Sequence, residues 1–147
     1  MSDDDDDMDD DLIDGVMTFE AVTEGVRVAV QSYFLSGQSD PEEGSYVWAY
    51  RIRISNEGTA TVQLINRHWI ITDGHGGVQE VQGSGVVGEQ PVLAPGERFV
   101  YTSGTPLSTP TGFMRGTYEM QRPDGSYFDV EIPAFSLDSP HYSLKLN

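Results

Sequence analysis

Between Tyr46 and Ile54 every second residue is large and apolar. Tyr46, Trp48, Tyr50, Ile52 and Ile54 share one parity, while Arg51 and Arg53 take the other. A repeat of two places those five side chains on one face of an extended strand; the 3.6-residue repeat of a helix would scatter them around its axis. The segment is therefore a strand with one buried face and one wet face, as found in antiparallel sheets packed on one side. Such a strand needs neighbours for its ladder and a second layer for its apolar face.

The neighbours are legible in the same way. Val26, Val28, Val30 and Phe34 share a face in the preceding segment. Asn56-Glu57-Gly58 is a turn, and the next strand runs from Thr61 to Ile71. There Val62 and Leu64 have one parity and Trp69 and Ile71 the other, so a bulge near Ile65–His68 must restore a common face. Asp73-Gly74-His75-Gly76-Gly77 turns into a strand beginning at Val78, and Leu93-Ala94-Pro95-Gly96-Glu97 turns into Arg98–Ser103. Gly112 to Arg122 alternates Met114, Gly116, Tyr118 and Met120 against Arg115, Glu119 and Gln121. Pro123-Asp124-Gly125 then closes a hairpin onto Phe128, Val130 and Ile132. The pattern predicts seven strands, or eight if Phe135–Leu137 pairs, and no stretch joins helical caps to a helical period. Short strands with turns every 8–12 residues or so predict an all-β immunoglobulin/fibronectin type III-like antiparallel sandwich, with a small closed barrel as the alternative.

Charge divides the chain. Of 24 acidic residues, nine Asp fall within residues 1–14, which hold no base; the remaining chain carries fifteen acids against eight bases. A block of like charges repels itself and buries almost nothing, so residues 1–14 are expected to form a disordered acidic tail on a domain spanning 15–147. A weak Mg²⁺ or Ca²⁺ site there would need the glycine turn and distal Glu of a calcium loop, which the run lacks. A net charge of −16 with a single Lys, Lys145, gives no basic stripe for nucleic acid and disfavours anionic membranes. The same composition also suits a high-salt cytoplasm, where repulsion is screened. No run of about 18 apolar residues marks a membrane helix. The acidic start is unlike a secretory leader, and Cys 0 excludes a disulfide framework; the expected address is cytoplasmic.

The chemistry-bearing signals are few. Gly83-Ser84-Gly85-Val86-Val87-Gly88 matches G-x-G-x-x-G, the pattern that cradles a pyrophosphate at a helix N-terminus. Glu89-Gln90-Pro91 follows at once, and Pro91 blocks the helix, so neither a dinucleotide fold nor a phosphate-binding P-loop is expected. An anion nest of backbone N–H groups at Gly83, Ser84, Gly85 and Gly88, helped by Arg67, is one reading; glycines serving a turn or bulge are the other. His68, His75 and His141 show no ligand spacing, and no metal or cofactor is expected. No nucleophile or acid–base constellation is visible, so an enzyme is not expected. Trp48, Tyr50 and Tyr118 sit at strand period, as core residues do.

From Val26 to Pro140 the chain closely resembles the bacterial ApaG family. The resemblance is carried by Val47-Trp48-Ala49-Tyr50, Val62-Gln63-Leu64, Arg67-His68-Trp69-Ile70-Ile71-Thr72-Asp73 and the block Val81 to Pro91. It continues through Leu93-Ala94-Pro95-Gly96-Glu97, Tyr101-Thr102-Ser103-Gly104, Thr109-Pro110-Thr111-Gly112, Met114 to Met120 and Ile132-Pro133-Ala134-Phe135. The acidic start departs from the family's usual short one. The resemblance implies a fibronectin type III-like sandwich and an association with cobalt resistance and magnesium efflux, without an established enzyme activity. Related domains in F-box proteins and in a polymerase-delta-interacting protein imply protein binding. The expected function is thus a non-catalytic binding module for a protein partner, or for a second copy through sheet edges. The alternative is a small-anion binder for pyrophosphate or nucleotide at Gly83, Gly85 and Gly88.

Overall fold

The computed structural model describes residues 11–141. The alternating faces form two antiparallel sheets packed as a sandwich. Nine strands make them: β1 Phe19–Thr23, β2 Val26–Phe34, β3 Tyr46–Asn56, β4 Val62–Asp73, β5 Val78–Ser84, β6 Val92–Leu93, β7 Arg98–Leu107, β8 Gly112–Gln121 and β9 Tyr127–Leu137. One sheet has the order β1-β2-β3-β7; the other runs β5-β4-β8-β9, with β6 paired to β4. Two single-turn 3₁₀ segments, Ser36–Gln38 and Pro41–Glu43, bridge β2 and β3. Among the described residues no helix is long and apolar enough to cross a membrane.

The predicted parity holds along β3. Trp48, Ile52 and Ile54 are fully buried, Tyr46 and Tyr50 nearly so, and Arg51 and Arg53 face outward. The predicted bulge is also present: the β4–β8 register shifts between Leu64 and Asn66, which lets Val62, Leu64, Trp69 and Ile71 all reach the core. Two strands escaped the sequence pattern. β1 alternates only between half-buried and exposed residues, and β6 has two residues, too few to show a period. Phe135–Leu137 does pair, as the continuation of β9. That strand passes Pro133 by a bulge, where Gly116 faces Ile132 and Met114 faces Phe135.

Of the expected tail, residues 1–10 lie outside the described residues. Asp11–Asp14 lie within them and are tied to the first sheet. The cause is Gln31, a polar side chain of β2 that is 1% exposed. Its Oε1 accepts the Ile13 N–H at 2.8 Å, and its Nε2 donates to the Ile13 carbonyl at 2.9 Å and the Thr18 hydroxyl at 3.0 Å. Arg51 donates to the Asp11 carbonyl, and Arg98 pairs with the Asp11 carboxylate. A buried amide must find partners, and this segment supplies them.

Three outcomes follow for urea unfolding. Ile52→Ala should cost about 2–5 kcal/mol through the cavity it leaves. Arg51→Ala, which gives up bonds at the surface, should cost about 1 kcal/mol. Deleting residues 1–14 should cost about 1–3 kcal/mol, because Gln31 is left buried and partly unpaired.

Candidate functional site between the sheet edges

The sandwich is closed along one side and open along the other. On the closed side the Thr23 hydroxyl of β1 accepts the Glu131 N–H of β9 at 3.1 Å, and Ser32 of β2 donates to the Ser136 carbonyl at 2.8 Å. On the other side β7 and β5 are the two edges. A cleft of about 290 Å³ opens between them. Tyr50, Trp69, Ile71 and Met114 form its floor, Val81 and Ser103–Pro106 its walls, and Arg67 one end. The floor is preorganised: Tyr50 and Trp69 pack edge to face with ring centroids 5.3 Å apart, and Phe135 supports both.

Behind the floor lies a buried phenol pair. Tyr101 and Tyr118 share a hydrogen bond between their hydroxyls, and Tyr118 is fully buried. Burial pushes both phenols well above their ordinary range, and it raises Tyr50 as well, against the opposing effect of the Ser103 hydroxyl.

Arg67 is carried on the core side of β4, in line with Trp69 and Ile71, and crosses β5 where Gly83 has no side chain. A Cβ at Gly83 would lie 2.8 Å from both terminal guanidinium nitrogens. Its Nη1 donates to the Ser84 carbonyl at 3.0 Å and the Gly85 carbonyl at 2.9 Å. The structure thus brings Arg67 onto Gly83, Ser84 and Gly85, a proximity no sequence spacing indicated. It presents carbonyl oxygens to the cation, while two of the loop's amides, those of Gly85 and Val86, are engaged elsewhere. The Gly85 N–H bonds Ile65 and the Val86 N–H bonds Glu89, each at 2.8 Å. Val87 and Gly88 both have positive φ, as the centre of a tight hairpin turn between Val86 and Glu89 requires. Gly85 has φ +64, and a Cβ there would overlap the Glu89 carbonyl oxygen. Gly85 and Gly88 therefore have backbone reasons to be glycine, and Gly83 leaves room for Arg67, which supports the turn reading of the motif.

The other candidates lie elsewhere. His68 pairs with Glu80 at 2.8 Å on the outer face of the second sheet. A broader depression of about 490 Å³ occupies that face, where Asn66 donates to Glu119 at 2.7 Å. The Asp73 carboxylate accepts the His75 and Gly77 N–H groups, which close the turn and hold it below the usual carboxylate range. His141 meets the rings of Phe34 and Tyr46 edge to face. Among the described residues no three His, Asp or Glu side chains gather as a metal site. The sequence pattern does not show Ser103 and Thr105 as cleft residues, since the strand read from Arg98 ends at Ser103; β7 instead runs on to Leu107.

The model of the ApaG domain matches residues 36–122, which span β3 to β8 and hold every residue lining the cleft. The chain belongs to the ApaG family. It is 59% identical over 129 residues to Protein ApaG of Paramagnetospirillum magneticum, covering 88% of this chain and 99% of that one. Protein ApaG of Rhodospirillum centenum is 62% identical over 123 residues, covering 84% and 95%. A crystal structure of a Bordetella pertussis protein named ApaA superposes with a TM-score of 0.75 at 52% identity, covering 82% of this chain and 95% of that one.

Gly85→Ala should lower stability by about 2 kcal/mol or more, the left-handed conformation alone accounting for about 1–2 kcal/mol; a urea titration reads this. The buried phenols also set an alkaline limit. They stay neutral in the folded chain but ionise near pH 10.0 once exposed. Their contribution is intact below that pH and is lost as pH rises beyond it. Urea midpoints should therefore fall above pH 10, and tyrosinate absorbance should show a class that appears only with unfolding.

Proposed function

We propose that this ApaG domain is a non-catalytic, cytoplasmic binding module that takes an extended segment of a protein partner onto the free edge of β5. The single observation that carries this is the unpaired backbone of β5 beside the cleft. Asp73 N–H to Gly77 and Gly85 N–H to Ile65 are ladder bonds at either end of the β4–β5 pair. Antiparallel alternation then directs Gln79, Val81 and Gly83 toward β4, and leaves the N–H and C=O groups of Val78, Glu80 and Gln82 facing outward without a strand partner among the described residues. A strand edge of this kind is a template for strand addition. The β7 edge is blunted, because the same alternation from Asn56 N–H to Glu97 points Pro106 outward, where it offers no donor. Val78, 63% exposed, adds apolar surface to the β5 edge. On this reading the family's association with cobalt resistance and magnesium efflux passes through the bound partner.

Arg67 favours the second reading, a small anion such as pyrophosphate, since its contacts among the described residues are carbonyls rather than carboxylates. Isothermal titration with pyrophosphate tests it, and binding no tighter than about millimolar is expected against so acidic a chain.

Proline substitution separates the edge from the fold. Glu80→Pro removes an outward donor and should leave the β4 ladder intact, whereas Val81→Pro breaks a ladder bond and should cost about 3 kcal/mol or more. Affinity purification with the wild-type chain should retrieve a partner that Glu80→Pro, folded by circular dichroism, does not. Equal retrieval by both would remove the edge from the reading. Sedimentation at low and high salt shows whether that partner is a second copy.

A further inference from the structure

We infer that the β5 edge selects an extended partner segment carrying a carboxylate two residues before a large apolar residue, the carboxylate meeting Arg67 and the apolar side chain entering the cleft. The inference rests on the strand-addition reading and names the chemistry of its partner. Arg67, Trp69 and Ile71 lie along the core face of β4, directly opposite Gly83, Val81 and Gln79 of β5. A strand added to β5 continues this order on the same face. Its residue beside Gly83 meets the Arg67 guanidinium, which reaches across β5 because Gly83 leaves the way open. Its residue beside Val81 faces the 290 Å³ cleft floored by Tyr50, Trp69 and Met114. Side chains two apart on a strand share a face, so the two positions are read together. An antiparallel partner, the more stable pairing, meets Gly83 before Val81 and so presents the carboxylate first.

The guanidinium suits this role. Nη1 is held by the Ser84 and Gly85 carbonyls, which fixes the plane, while Nε and Nη2 have no hydrogen-bond partner among the described residues. The remaining Arg side chains with ion pairs are already engaged: Arg27 with Glu20 and Glu57, Arg98 with Asp11, and Arg122 with Glu24. Arg67 is the half-buried cation at the open edge that lacks a carboxylate among the described residues. A planar guanidinium with two free donors matches a carboxylate bidentately.

The test uses the full chain and three fluorophore-labelled nine-residue peptides of alternating Thr and Val. One carries Asp-Thr-Leu at its centre, one Lys-Thr-Leu and one the reversed Leu-Thr-Asp. By fluorescence anisotropy the Asp-Thr-Leu peptide should bind at least about tenfold tighter than either other peptide, the ordinary scale of a charge-assisted hydrogen bond. Arg67→Gln should level the three affinities without abolishing binding. Gly83→Ala should do the same, because the added methyl displaces only the movable end of Arg67; it decides the matter if Arg67→Gln does not fold. Equal binding of the three peptides to the wild type, sensitive to Glu80→Pro, overturns the inference and leaves strand addition standing. Binding of none of them overturns both.

Discussion

Everything in this molecule depends on covering one face of β3. Tyr46, Trp48, Tyr50, Ile52 and Ile54 form a stripe five side chains long, and water is excluded from it only if a second sheet lies opposite. Trp69 of β4 and Tyr118 of β8 supply that cover, with Phe135 of β9 locking Tyr50 and Trp69 from the side. The bulge at Ile65 and the one at Pro133 serve the same end. Without the first, Leu64 and Trp69 would face opposite ways; without the second, Ile132 and Phe135 would.

A two-layer solution has four edges, and they are not equivalent. β1 and the neighbouring β2 close on β9 through the Thr23 and Ser32 hydroxyls. β7 presents Pro106, and the segment after it turns at once toward β8. β5 remains, flanked by a cleft whose floor the core has already built. The polar and apolar parts of the candidate site are therefore by-products of packing: Tyr50 and Trp69 are there to fill the core, and they line the cleft because the layers diverge beside the open edge. Arg67 alone has no packing reason to be charged, since it lies on the core face of β4 in line with two apolar residues.

The glycine motif shows how one local pattern can gather residues with separate structural causes. As letters, Gly83, Gly85 and Gly88 suggest a phosphate cradle. In the fold, Gly83 makes way for Arg67, Gly85 avoids the Glu89 carbonyl and Gly88 completes a hairpin turn. The three have separate causes in the fold, and their spacing is that of a strand end and a turn. The charge pattern, too, leaves contacts unseen. Asp11–Asp14 looked like part of a detached acidic run, yet Gln31 and Arg98 claim Ile13 and Asp11. A buried amide on β2 is invisible in composition, and so is its demand for a partner.

What the sequence by itself determined was the faces. Strand parity, the bulge at Ile65, the turns at Asp73–Gly77 and Pro123–Gly125 and the all-β class follow from a two-residue repeat, which is a property of neighbouring residues alone. Only the tertiary structure decided which edges pair and which stay open, because that depends on strand order, and strand order is set by contacts between residues far apart in the chain. The placement of Arg67 over Gly83 belongs to the same class. The residues are sixteen apart in sequence but directly opposite in register. A one-residue change in that register would send the guanidinium to the outer face and leave the cleft without its charge.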